Sequence, residues 1–114
     1  MEGRQLGTVI VSPGVLSTIA RLTTLSVPGV ARMSPLTMPR LLGARGSDGV
    51  KVQVVGEAVA LDIHIVASAD VNMLELAREI QHKVTRAIHE IVGMAVQEVN
   101  VHIIDVIDVE ESHT

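Results

Sequence analysis

The chain of 114 residues contains no cysteine and no phenylalanine, tyrosine or tryptophan. Without cysteine there is neither a disulfide nor a thiolate metal site, and nothing marks an oxidising compartment. Without aromatic rings the core must be built from Val, Ile, Leu, Ala and Met. Each large member of that set contributes about 1.5–3 kcal/mol when fully buried. The same absence counts against a single-strand nucleic-acid module, which stacks bases on rings. No run of about 18 apolar residues occurs, so no segment is expected to span a membrane. The opening MEGRQLGTVIV has no long apolar stretch after its Arg and does not read as a signal peptide. The expected location is therefore cytoplasmic.

What is present is aliphatic and unevenly charged. Apolar residues make up 47% of the chain, and the net charge is −4. Residues 1–51 hold six Arg or Lys against two acids, and residues 52–114 hold three against eleven. Such a split favours head-to-tail self-association or a charged partner if the two halves form separate surfaces. The length suits one domain spanning residues 1–114.

The most organised stretch runs from Asn72 to Val106. Asn72 with Glu75 three residues on has the form of a capping box. Apolar residues recur at Met73, Ala77, Ile80, Val84, Ala87, Ile88 and Ile91, the spacing of a buried helical stripe. Glu75, Arg78, Glu79, Lys83, Arg86 and Glu90 line the other side, with Glu79 four residues before Lys83. Gly93 supplies the stop. From Val96 the pattern alternates as a strand does, and its disturbance at Ile103-Ile104 signals a bulge or a stretch buried on both faces.

Earlier in the chain, Gly7–Val11 reads as a short strand. Ser12-Pro13 reads as a helix entry, with Ser as cap and Pro in the first turn. Val15, Leu16, Ile19, Ala20 and Leu22 supply the apolar side of that helix, with Thr24 outside it. The helix ends near Leu25, because Pro28 biases Val27 away from helical geometry. Val30–Met33 is a second strand. Residues 35–49 are punctuated by Pro35, Pro39, Gly43, Gly46 and Gly49 and read as a mobile loop. Glycines spaced by three with Arg40 and Arg45 among them suggest an anion cradle, but no phosphate-loop motif is present and no helix follows. Val50–Val54 and Ala58–Val66 alternate around a Gly56-Glu57 turn. Residues 108–114 read as a frayed acidic tail. The expected fold is α+β: two helices packed on one face of a mixed sheet of four to five strands. The opposite face would carry Asp62, His64, Asn100 and His102.

Little in the chain points to catalysis. His82 and His89 are seven residues apart on one helix, roughly 10 Å by the helical rise, too far to share a metal. His64 and His102 would meet only if their strands were neighbours in register. A zinc site there would still need another ligand, so paired surface histidines are the ordinary reading and no metal or cofactor is expected. No nucleophile motif is present, and no carboxyl pair is placed in apolar surroundings. The GXXG loop of KH folds is missing, and net acidity opposes phosphate binding. Arg21, Arg32, Arg40 and Arg45 keep weak RNA or anion binding by the first half as an alternative.

Three segments, GTVIVSPGVLSTIARL with VPGVARM, VKVQVVGEAVALDIHIVAS, and NMLELAREIQHKVTRAIHEIVGMAVQEVNVHI, together resemble the alkaline shock protein family. That family is known from Gram-positive and related bacteria as cell-envelope stress proteins. The third segment is the most specific, with Ala77, Arg78 and Gln81, then Gly93, then Val96, Val99, Asn100 and Val101. The Tyr-Gly usual before this helix in the family is replaced by Ala69-Asp70. The resemblance implies a non-enzymatic, self-associating cytoplasmic protein of envelope stress or homeostasis. It also implies a route to the inner face of the membrane through a membrane-anchored partner, with no catalytic residues to carry over. Arg40, Leu41, Leu42, Arg45, Arg78, Gln81, Lys83 and Arg86 are the candidate partner contacts.

Overall fold

The computed structural model describes residues 6–35 and 48–108. The elements are α1 (Pro13–Leu25), β1 (Val30–Met33), β2 (Val50–Val55), β3 (Ala58–Ser68), α2 (Met73–Val92) and β4 (Ala95–Ile107). The expected loop at 35–49 lies mostly outside the described residues, as do all but Asp108 of the expected tail.

β3 is the hub of a mixed sheet. β1 and β2 both pair with it antiparallel, β1 along its C-terminal part and β2 along its N-terminal part. β4 pairs with it in parallel from Ala58 to Ser68. A parallel neighbour needs a crossover, and α2 provides it. Between β1 and β2 the main chain of His64 bridges the gap: the Ser34 N–H donates to its carbonyl and its own N–H donates to the Gly49 carbonyl, both at 2.8 Å. β1 and β2 thus behave as one strand interrupted opposite His64.

Both helices cover one face, as expected. Leu16 and Ala20 of α1 and Leu76, Ile80, Val84 and Ile88 of α2 meet Val59, Leu61, Ile63, Ile65 and Ala67 of β3 in a single aliphatic core. α2 begins as its sequence indicates, with Asn72 Oδ1 accepting from the Glu75 N–H at 2.9 Å. It ends at Gly93 with φ 82. The bulge also appears: register shifts between Ile65 and Val66, leaving Ile104 as the extra residue of β4.

Several expectations fail in instructive ways. Gly7–Val11 forms no strand; Val9 and Ile10 are 90% and 83% exposed, and only Val11 touches the core. Alternation supplies a strand's side chains, but a strand also needs an edge to pair with. Ser12 does cap α1 by position, yet its hydroxyl makes no cap hydrogen bond and faces solvent. On α1 the buried stripe is Leu16, Ala20 and Thr24, while Val15 and Leu22 are exposed. A strict four-residue step outranks residue type here. On α2 the buried line is Leu76, Ile80, Val84 and Ile88, again a step of four, and Ile91 falls off it and is 68% exposed.

Gly49 has the tightest backbone requirement. Its φ is +83, and a Cβ there would lie 2.8 Å from the Ser34 carbonyl oxygen and 3.0 Å from that of His64. At Gly93, with similar φ, nothing lies within 4 Å of such an atom. Gly49→Ala should therefore lower stability by about 2–3 kcal/mol and Gly93→Ala by about 1 kcal/mol. Urea denaturation checks this; equal losses would show that the clash at Gly49 relaxes freely.

Candidate functional site

The uncovered face of the sheet brings the expected polar residues together. Parallel pairing sets Asp62 beside Asn100 and His64 beside His102. The two imidazoles stack with centroids 4.3 Å apart and planes 6° from parallel. His102 Nε2 lies 3.2 Å from Asp62 Oδ1. Asn100 Nδ2 donates to Glu98 Oε2 at 3.3 Å. Strict period two on both strands, with no register slip between residues 60 and 65, makes the stack.

The two rings are not equivalent. His64 Nδ1 is buried and has no hydrogen-bond partner. Burial holds the His64 imidazole below its ordinary pKa, and the neighbouring His102 adds to the effect. The Gly49 carbonyl and Asp62 act in the opposite sense. At neutral pH the stack therefore contains a neutral His64. His102 keeps an exposed edge toward the Asp62 carboxylate.

This pair does not fit a shared metal ion as placed. Imidazole binds a metal through a lone pair in the ring plane, at about 2.0–2.1 Å for zinc. Two nearly parallel planes separated by a stack do not converge on one such point. Among the described residues no group of three or more His, Asp or Glu side chains is arranged to hold an ion.

Of the candidate partner contacts, Arg40, Leu41, Leu42 and Arg45 lie outside the described residues. The α2 group forms bonds within the chain. Arg78 Nη1 donates to Gln81 Oε1 at 3.1 Å, and Gln81 Nε2 donates to the Val99 carbonyl at 3.0 Å. Gln81 thereby ties α2 to β4. Lys83 pairs with Glu79 at 3.1 Å and Arg86 with Glu90 at 3.6 Å, each four residues apart on an exposed face. Such pairs are worth about 0.3–0.5 kcal/mol. Arg21 lies on α1 and Arg32 on β1, where it is the register partner of Val66. The Ala69-Asp70 position is exposed, with the Ala69 N–H donating to the Ile107 carbonyl at 2.8 Å.

One end of the molecule carries a feature the periodicity did not reveal. α1 begins there, α2 ends there, β2 turns into β3 there and β4 starts there. Val15, Val54, Val55 and Ile91 are all exposed at that end. Helix and strand patterns mark which side of an element is apolar; they do not mark where its neighbours stop.

The comparisons place this architecture. The profile of the alkaline shock protein 23 family, described as having cell envelope-related function, matches residues 1–108, and the chain belongs to that family. It is 25% identical over 109 residues to the uncharacterized protein YqhY of Bacillus subtilis (strain 168), covering 92% of this chain and 81% of that one. A second relative from the same strain, the uncharacterized protein YloU, is 33% identical over 57 residues, about half of each chain. In fold the chain is similar to the MamM CTD. A variant of that domain in its zinc form superposes with a TM-score of 0.52 at 16% identity, over 82% of this chain and 85% of that one. Another variant gives 0.51 at 18% identity, over 82% and 98%.

Two outcomes follow from this geometry. Because His64 titrates below its ordinary 6.5 in the folded protein, the unfolded chain binds more protons just under neutrality. Stability should fall as pH drops through 6.5 and level off below the depressed pKa. Urea midpoints for His64→Gln should fall less over that window, and identical profiles for the two proteins would contradict the assignment. Gln81→Ala should cost about 1 kcal/mol by freeing the Val99 carbonyl; a pure partner contact would leave the denaturation midpoint unmoved.

Proposed function

We propose that the chain is a non-enzymatic, self-associating interaction module of cell-envelope homeostasis, held near the inner face of the membrane by a membrane-anchored partner. Family membership supports the envelope context. The observation that carries self-association is exposed aliphatic surface. Leu6, Val9, Ile10, Val15, Val54, Val55 and Ile91 face solvent at one end and on the segment leading to it, and Leu22, Leu25, Leu74, Ile104 and Val106 do so elsewhere on the domain. Surface of that kind on a folded domain marks a place for another protein.

Among the described residues no helix is long and apolar enough to cross a membrane. Membrane association through a partner is consistent with that observation. The cluster on the uncovered face consists of a carboxylate and two stacked imidazoles, with no hydroxyl or thiol among its members.

Light scattering across protein and salt concentration tests the proposal. The mean mass should rise with protein concentration and keep part of that rise at high salt, where aliphatic burial outlasts charge attraction. A strict monomer at high micromolar concentration and low salt would overturn it.

A further inference from the structure

We infer that Gln81 and Asp105 close the outer edge of β4 against the addition of another strand, so that copies of this chain meet without continuing the sheet. The closure is a property of the single chain; its bearing on how copies meet rests on the self-association proposed above.

An open sheet edge is a row of N–H and C=O groups that a second strand can bond. Among the described residues no strand pairs with β4 on the side away from β3. On that side the Val99 carbonyl already accepts from Gln81 Nε2 at 3.0 Å, and the Val106 N–H already donates to Asp105 Oδ1 at 2.8 Å. Every second residue of a regular strand turns its main-chain groups the same way. Between the two bonded points, Val101 and Ile103 are therefore the residues left with both groups free on the outer side. A strand in a sheet runs about 5–6 residues. A ladder of that length along this edge has to displace one of the two side chains.

The backbone adds a second obstacle. Register against β3 slips between Val59 and Ala60 and again between Ile65 and Val66, which leaves Gln97 and Ile104 as extra residues of β4. Each slip bends the strand. Gln97 comes just before the bonded Val99 carbonyl, and Ile104 just before the bonded Val106 N–H. The regular part of the edge, Glu98–Ile103, is thus shut at both ends.

Arg78 gives Gln81 its direction. Its Nη1 donates to Gln81 Oε1 at 3.1 Å, which holds the amide with its nitrogen toward the strand. Turned over, the amide would set its oxygen against the Val99 oxygen. The helix that covers the core therefore also guards the edge, and Arg78 is the positioning residue of that guard. The opposite edge of the sheet is broken instead. β1 and β2 are separate short strands that meet at His64, and Asp48 Oδ1 accepts from the Val50 N–H at 3.1 Å.

Hydrogen exchange at the amides of Val101 and Ile103, followed with light scattering over a range of protein concentration, tests the closure. In the native chain, exchange at these amides should not depend on concentration, whatever the mean mass does. The double variant Gln81→Ala, Asp105→Ala should associate through the freed edge. Exchange at both amides should then slow by about tenfold or more between low and high micromolar concentration, as the mean mass climbs above that of the native chain. Gly93→Ala weakens the fold at a position where a Cβ meets nothing within 4 Å, and it should exchange as the native chain does. Slowing in the native chain would overturn the inference, as would equal slowing in Gly93→Ala. So would a double variant that associates no more than the native chain, or that associates with both amides unchanged. A native chain that stays monomeric sinks the proposed self-association and leaves the edge to be judged by the double variant.

Discussion

The rest of the structure depends on the double commitment of β3. Every second side chain, from Val59 to Ala67, is fully buried under the helices. Both of its edges are hydrogen-bonded along most of its length. A strand held on one face and two edges has little freedom left, so its neighbours take their positions from it. The aliphatic composition suits this role. Val, Ile and Leu fill the space between two helices and a sheet without a ring anywhere, and β-branched residues favour the extended backbone on which they sit.

The polar side of the same strand has a different logic. Because β4 runs parallel to β3 and in register over its middle, like residues meet like: Asp62 with Asn100, His64 with His102. Two imidazoles in contact cannot both hold a proton without mutual repulsion, and His64 is the one set to remain neutral. Protonating the half-buried His64 ring works against its burial and against the ring stacked on it, so proton uptake on this face is linked to stability.

Much of this was legible from residue order. Asn72, Glu75 and Gly93 bound α2 because capping is local chemistry, written in a few neighbouring positions. The β2–β3 turn and the bulge near Ile104 were readable for the same reason, and the meeting of His64 and His102 was conditional on one pairing that the fold then supplied. What escaped the sequence was global. Gly7–Val11 has a strand's pattern, but pairing depends on an edge elsewhere. Ile91 lies off the four-residue line through Leu76, Ile80, Val84 and Ile88, while Val92 and Met94 beyond it still pack on the core. Thr24 outranks Leu22 because only the former falls on the line through Leu16 and Ala20. The role of Gln81 as a tie from helix to strand was hidden because its acceptor, the Val99 carbonyl, belongs to no side chain.

The interruption between β1 and β2 has a consequence for how this architecture can vary. Ser34 and Gly49 are bonded to the two sides of one residue, so the chain leaves the sheet and returns to it at a fixed place. Whatever joins them can lengthen or shorten without displacing any paired residue. The entropic cost of closing such a connection grows only logarithmically, about 0.6 kcal/mol for each doubling of length. On closure entropy alone, the length of chain between Ser34 and Gly49 matters little to the register of β3, because both ends are bonded to His64.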